Sequence, residues 1–217
     1  MKNVVCLISG RGSNLEALLA TAKNDNWLQT IGARIAGVLS NRADAGGLAI
    51  AQRFEVPTAV VAHDVFPSRE AFEAELTRIV DRHEPALVVL AGFMRVLTPG
   101  FVGRYAGRLV NIHPSLLPVF PGLATHRRAL AAGVRVHGAT VHYVADDVDG
   151  GPIVAQAAVR VLPSDSEAAL AARVLKQEHR LLPRCVRWIL EGRVRIDAGR
   201  VVAADDCVPQ LAAFDVE

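Results

Sequence analysis

The sequence predicts an α/β fold built on a doubly wound, mostly parallel sheet, with antiparallel strands in the carboxyl-terminal half. Three observations predict it. In the first half, short β-rich apolar runs alternate with longer amphipathic segments, the order expected of βαβ units. Those runs are apolar on both faces, as strands of a parallel sheet covered by helices must be. Past residue 136 the pattern changes to alternating apolar and polar residues joined by the turn-rich "DDVDGGP", which suggests two neighbouring antiparallel strands at a sheet edge, one face meeting solvent.

The elements follow in order. "VVCLIS" (4–9) is the first strand, and "NLEALLATAK" is a helix whose Leu15, Leu18 and Leu19 face the core. "ARIAGVLS" (33–40) precedes the helical "ADAGGLAIAQRF", and "PTAVVA" (57–62) precedes "SREAFEAELTRIVDRH". In the latter Ser68 is a suitable N-cap, and Phe72, Leu76, Ile79 and Val80 make a core-facing stripe at helical spacing. "ALVVLAG" (86–92) and "RLVNIHP" (108–114) give two further strand ends, followed by strands at 137–145 and 152–161. A helix runs from Ser166 to about Leu190, with Ser164 or Ser166 as its cap and Pro183 predicting a kink or a break. The segment after Gly192 is weakly patterned. The expected organisation is one domain over 1–192, in halves 1–100 and 101–192, and a tail over 193–217.

Composition excludes several classes of function. The 24 Lys and Arg nearly balance the 22 Asp and Glu, and no basic, aromatic-rich tract marks a nucleic-acid binder. The 3 cysteines, Cys6, Cys185 and Cys207, form no CxxC pair, so neither a disulfide framework nor a zinc site is suggested. Cys6 lies in an apolar strand, and neither Ser9 nor Ser13 sits in GxSxG, so covalent catalysis is not expected. No apolar run approaches the roughly 18 residues of a membrane helix. A cytoplasmic protein without metal, membrane or nucleic-acid partners is expected.

Three constellations could carry chemistry. In "ISGRGSNLEALL" a strand enters Gly10, Arg11, Gly12, Ser13 and Asn14 and leads directly into a helix. Free N–H groups and the helix dipole at such a turn favour a phosphate. A third fingerprint glycine is missing and the second strand ends in Ser40-Asn41 rather than an acid, which argues against NAD; no GxxxxGK[ST] occurs. A tight turn whose glycines serve geometry alone is the plainer alternative. In "LVNIHP", Asn111 and His113 project from one face of a strand's carboxyl end, where open α/β sheets bind ligands. An amide that can bind an oxyanion beside an imidazole that can pass protons suits attack on a carbonyl carbon; a hydrogen-bonded strand-end histidine is the bland reading. The third is "DDVDGGPI" (146–153), where a carboxylate could orient an imidazole. Spacing does not choose among Asp146, Asp147 and Asp149, and a solvated acidic turn is the alternative. His137 and His142, five residues apart on a strand, make poor joint metal ligands.

"SGRGSN", "LAGFMRVL", "NIHPSLLPVFPGLATHRRAL", "HGATVHYV", "DDVDGGPI" and "QEH", in that order, resemble the folate-dependent formyltransferase family over residues 3 to 190. Within it, "SGRGSN" and "PGLATHRRAL" resemble the branch acting on a glycinamide ribonucleotide. The resemblance implies a single-domain, Rossmann-like formyltransferase fold. It also implies transfer of formyl from 10-formyltetrahydrofolate, a co-substrate, to the amine of phosphoribosylglycinamide. It implies a catalytic trio of Asn111, His113 and Asp149, a ribonucleotide site of Gly12, Ser13, Asn14 and Glu178, and a folate site. The folate site would comprise Arg69, Met94, Arg95, Val96, Leu97, Asn111 and the 145–149 loop, that is Ala145, Asp146, Asp147, Val148 and Asp149. Two alternatives stand beside it: a sibling hydrolase or aminoacyl-tRNA formyltransferase, and a nucleotide-binding module or oxidoreductase. The sequence does not fix the oligomeric state, a homodimer included.

Overall fold

A computed structural model describes residues 1–207 and the backbone of 212–215. The remaining residues of the expected 193–217 tail lie outside the described part. The chain divides into two compact units, Met1–Asn111 and Ile112–Glu217.

The first unit is the parallel layer. Strands β1 (Lys2–Ile8), β2 (Ala33–Ser40), β3 (Thr58–Val60) and β4 (Pro85–Leu90), with the start of β5 (Leu109–His113), line up as β3-β2-β1-β4-β5. Every pairing there is parallel. Helices α1 (Ser13–Asn24), α2 (Trp27–Thr30), α3 (Gly46–Arg53), α4 (Arg69–Asp81) and α5 (Pro99–Arg104) connect them. Val4 to Ile8 and Leu87 to Val89 are completely buried, which is why these strands read as unbroken apolar runs. Chain order reverses at β1, flanked by β2 on one side and β4 on the other, and loops leaving such a switch point diverge to form a crevice.

The expected helix signals hold in α1 and α4. Leu15, Leu18 and Leu19 are buried, and Ser68 Oγ accepts from Ala71 N at 3.1 Å, satisfying one orphan donor of the first turn. The α4 stripe is Phe72, Leu76 and Val80, all buried. Ile79 is only half-buried, and the fourth fully buried position is Glu73.

The second unit contains β6 (Val136–Tyr143), β7 (Ile153–Arg160), α6 (Thr125–Ala131), α7 (Glu167–Leu190), the β8 (Val194–Asp197) and β9 (Arg200–Ala203) hairpin, and β10 (Ala212–Asp215). Strands β6 and β7 are antiparallel, as expected. Two expectations are corrected. The pair is not a solvent-facing edge: β10 pairs with β7, and β6 is buried on both faces from His137 onward. Its polar residues tolerate burial because they are hydrogen-bonded: Thr140 Oγ1 donates to Ser115 O at 2.7 Å, and His142 Nδ1 lies 2.9 Å from Tyr143 O. Nor does Pro183 break α7, which is continuous through it. The helix buries Leu181, Leu182, Pro183, Cys185 and Val186 around that position, and such packing outweighs one missing hydrogen bond. Ser166, not Ser164, is the cap, accepting from Ala169 N at 3.2 Å.

Candidate active site

In the first unit the glycine loop leaves β1 at Ser9. Gly12 has φ 83°, and a Cβ there would lie 2.5 Å from Gly47 Cα. Only glycine meets both demands. Gly47 N donates to Gly10 O at 3.1 Å, so the loop is locked against the start of α3 and delivers the chain into α1 at Ser13 and Asn14. In the sequence that α3 glycine pair reads only as helix; its signal is the "GG" itself, rare inside helices.

The loop after β4 starts beside it. Ala91 N donates to Leu7 O at 2.9 Å and Ser9 N to Gly92 O at 3.0 Å. Met94 and Val96 then stand 67% and 54% exposed, apolar side chains held out toward solvent, with Arg95 and Leu97 half-buried beside them. Arg69 is exposed at the first residue of α4. The structure thus places Gly12, Ser13, Asn14, Arg69 and Met94 to Leu97 in the first unit.

The second unit brings together residues far apart in sequence. His113, at the end of β5, is 5% exposed. Its Nδ1 lies 3.3 Å from Asp149 Oδ2, and its Nε2 lies 3.1 Å from Phe120 O. Each ring nitrogen therefore faces an oxygen. Of the three aspartates, Asp149 alone stands at the imidazole; Asp146 and Asp147 are exposed. Asn111 precedes His113 by two strand positions, so strand alternation gives the two a common face.

Local structure explains this convergence. Asp149 sits at φ 56°, a left-handed conformation that Asp tolerates better than most residues. Gly151 follows because a Cβ there would fall 1.9 Å from Tyr143 O. Asp149 Oδ2 also accepts from Gly122 N at 2.8 Å, and its Oδ1 is 3.7 Å from His142 Nε2. Burial pushes the His142 pKa down, against the opposing pull of Tyr143 O and Asp149. The turn that carries the Phe120 carbonyl is held by β6 and β7, where Leu117 N donates to Thr140 Oγ1 at 3.0 Å and Gln156 Nε2 donates to Leu117 O at 2.9 Å, and by its own Ser115 Oγ, which donates to Val119 O at 2.7 Å. Sequence reading weighed His142 only as a metal ligand and missed Thr140 and Gln156; the signal was polar residues inside the otherwise apolar "HGATVHYV" and "AQAAV".

Ala145 and Val148 complete the 145–149 loop, with Val148 55% exposed. Glu178 is buried on α7. Among the described residues no group of three or more His, Cys, Asp or Glu is placed to hold a metal ion, and no helix is long and apolar enough to cross a membrane. His137 and His142 take separate partners: His137 Nε2 lies 3.2 Å from His126 Nδ1.

Comparison with known proteins agrees with this architecture. Residues 2–186 match the formyl transferase family model. Phosphoribosylglycinamide formyltransferase of Escherichia coli K12 is 48% identical over 89% of this chain and 90% of that protein. The glycinamide ribonucleotide transformylase 1 structure from Symbiobacterium toebii superimposes with TM-score 0.89 at 43% identity, covering 94% of this chain and 95% of that one. The phosphoribosylglycinamide formyltransferase structure from Coxiella burnetii gives 0.87 at 44% identity over 93% of each chain. With a family match over residues 2–186 and relatives more than 40% identical across about nine-tenths of it, the chain belongs to the formyl transferase family.

Proposed function

We propose that this chain transfers the formyl group of 10-formyltetrahydrofolate to the amine of phosphoribosylglycinamide, a step of purine biosynthesis taking place in the cytoplasm. The observation that carries the chemistry is His113 held between Asp149 and the Phe120 carbonyl; reciprocal coverage near nine-tenths with the E. coli enzyme supports the choice of acceptor. Residues 1–192 form the formyltransferase domain in this reading.

The acceptor amine attacks the formyl carbon on N10 of the folate. Carbonyl oxygen becomes an oxyanion, which the Asn111 amide N–H and the His113 ring stabilise. The intermediate collapses by breaking the bond from carbon to N10. N10 gains one proton and the attacking nitrogen loses one, so His113 need only pass a proton, with Asp149 orienting its ring. No acyl-enzyme forms. Gly12, Ser13 and Asn14 hold the ribose phosphate at the α1 amino end, with Glu178 on the same substrate. Met94, Arg95, Val96 and Leu97, with Arg69, Asn111 and the Ala145 to Asp149 loop, hold the folate. No metal enters any step.

The test is spectrophotometric: tetrahydrofolate formation from 10-formyltetrahydrofolate, with and without phosphoribosylglycinamide. Formation that depends on the acceptor is expected; formation at the same rate without it would make the chain a hydrolase.

A further inference from the structure

The Gly92–Thr98 loop holds two apolar side chains in solvent, Met94 and Val96. Left to itself, a loop of this composition would fold those side chains onto the protein. Two buried polar groups prevent it, one at each end. At the start, Ser9 is 7% exposed. Its Oγ accepts from Met94 N at 2.7 Å and donates to Asn41 Oδ1 at 2.5 Å, while its own N–H donates to Gly92 O at 3.0 Å. Asn41 is 3% exposed, and its Nδ2 lies 3.2 Å from His63 Nδ1. Because the hydroxyl proton is committed to Asn41, a lone pair is left facing Met94 N. At the far end Glu73 is 4% exposed; one carboxyl oxygen accepts from Thr98 N at 2.9 Å and the other from Thr98 Oγ1. Thr98 in turn caps α5, accepting from Phe101 N.

We propose that Ser9 and Glu73 are positioning residues for the formyl donor, clamping both ends of the Gly92–Thr98 loop so that its apolar surface is preformed before the folate arrives. Neither residue touches substrate. Each acts through the backbone N–H it fixes, Met94 N or Thr98 N. The inference rests on the reading that this loop binds the folate, and goes beyond it in naming what holds the loop open. A preformed surface spares the ordering cost that a collapsing loop would charge against donor affinity, so the effect belongs to the donor KM.

The experiment uses the full chain and four variants: Ser9→Ala, Ser9→Thr, Glu73→Leu and Glu73→Gln. Steady-state constants for 10-formyltetrahydrofolate and phosphoribosylglycinamide are measured with the Tm of each protein. Ser9→Ala and Glu73→Leu should each raise the donor KM about 10-fold, the scale of one lost buried hydrogen bond, with kcat and the acceptor KM within about 3-fold. Ser9→Thr keeps the hydroxyl and Glu73→Gln keeps an acceptor oxygen, so both should recover most of the loss. An unchanged donor KM overturns the proposal, as does a rise in both KM values that tracks the fall in Tm and is not recovered by Thr or Gln. A wild-type protein that forms no tetrahydrofolate from the donor would instead sink the functional reading beneath it.

Discussion

The glycine loop and the histidine–carboxylate site are built in opposite ways. The glycine loop is five consecutive residues, Gly10 to Asn14, whose proposed ligand groups are backbone N–H donors; what it needs from elsewhere is room, supplied by Gly47. The histidine site is made of side chains and a carbonyl from β5, the Phe120 turn and the loop between β6 and β7. A backbone site fails when something is added to it, and a side-chain site fails when something is removed. Substitutions of the two kinds should therefore separate the regions.

The largest effect is expected from His113→Ala, which should lower turnover on the order of 1,000-fold, the scale of general acid–base and oxyanion terms together, with both substrates still bound in a titration. Turnover within 10-fold of wild type would break the contrast at its root. Next comes the carboxylate. Asp149→Asn keeps an oxygen for Gly122 N but loses the charge facing His113, and a change outside the reacting atoms typically costs about 10- to 100-fold. Asp146→Asn and Asp147→Asn, whose side chains are exposed and do not face the imidazole, should keep turnover at saturating donor within about 3-fold and show any loss in the donor KM instead. Equal losses from all three would mean that the loop's bulk charge, not the Asp149 contact, matters.

For the backbone site, Gly12→Ala puts a Cβ at φ 83° and 2.5 Å from Gly47 Cα. It should cost about 1–3 kcal/mol in urea unfolding. Gly10→Ala has no atom within 4 Å of the new Cβ and no positive φ, so its unfolding midpoint should not move. If the two variants unfold alike, the close approach to Gly47 is not what shapes the turn.

The same difference decides what was legible in the sequence. Parallel strands, α1 with its Leu15, Leu18 and Leu19 stripe, and the Ser68 cap follow from periodicity and local capping rules, and the glycine loop stands out as a turn because its residues are contiguous. Asn111 and His113 were visible as a pair because strand alternation is local. Their partner was not: choosing Asp149 over Asp146 or Asp147 depends on a left-handed residue and on the Gly151 approach to Tyr143 O, which are tertiary facts. The solvent-edge reading of β6 failed because alternation reports polarity, whereas Thr140 and His142 are polar and buried with hydrogen-bond partners. The break that Pro183 allowed did not occur for a related reason: the rule about proline concerns an isolated helix, and α7 is packed around that position.

The histidines behind the site provide a finer test of the side-chain region. His137 is buried at 1% exposure and shares a hydrogen bond with His126, Nε2 to Nδ1 at 3.2 Å, so one ring must donate and the other accept. Burial, then the neighbouring His126 and His113, push the His137 pKa down from 6.5 to about 4, with only the Pro114 carbonyl pulling the other way. A base whose folded value is depressed binds its proton more readily when unfolded. Stability is therefore complete above pH 6.5 and falls as the pH drops toward 4. Allowing for solvent screening, the fall should be on the order of 1 kcal/mol, read as a lower urea midpoint at pH 4.5 than at pH 7. His137→Gln cannot take up that proton, so its two midpoints should lie closer together than those of the wild type. Parallel losses in the two proteins would place the acid sensitivity elsewhere and leave the glycine loop and the histidine site indistinguishable in their response to pH.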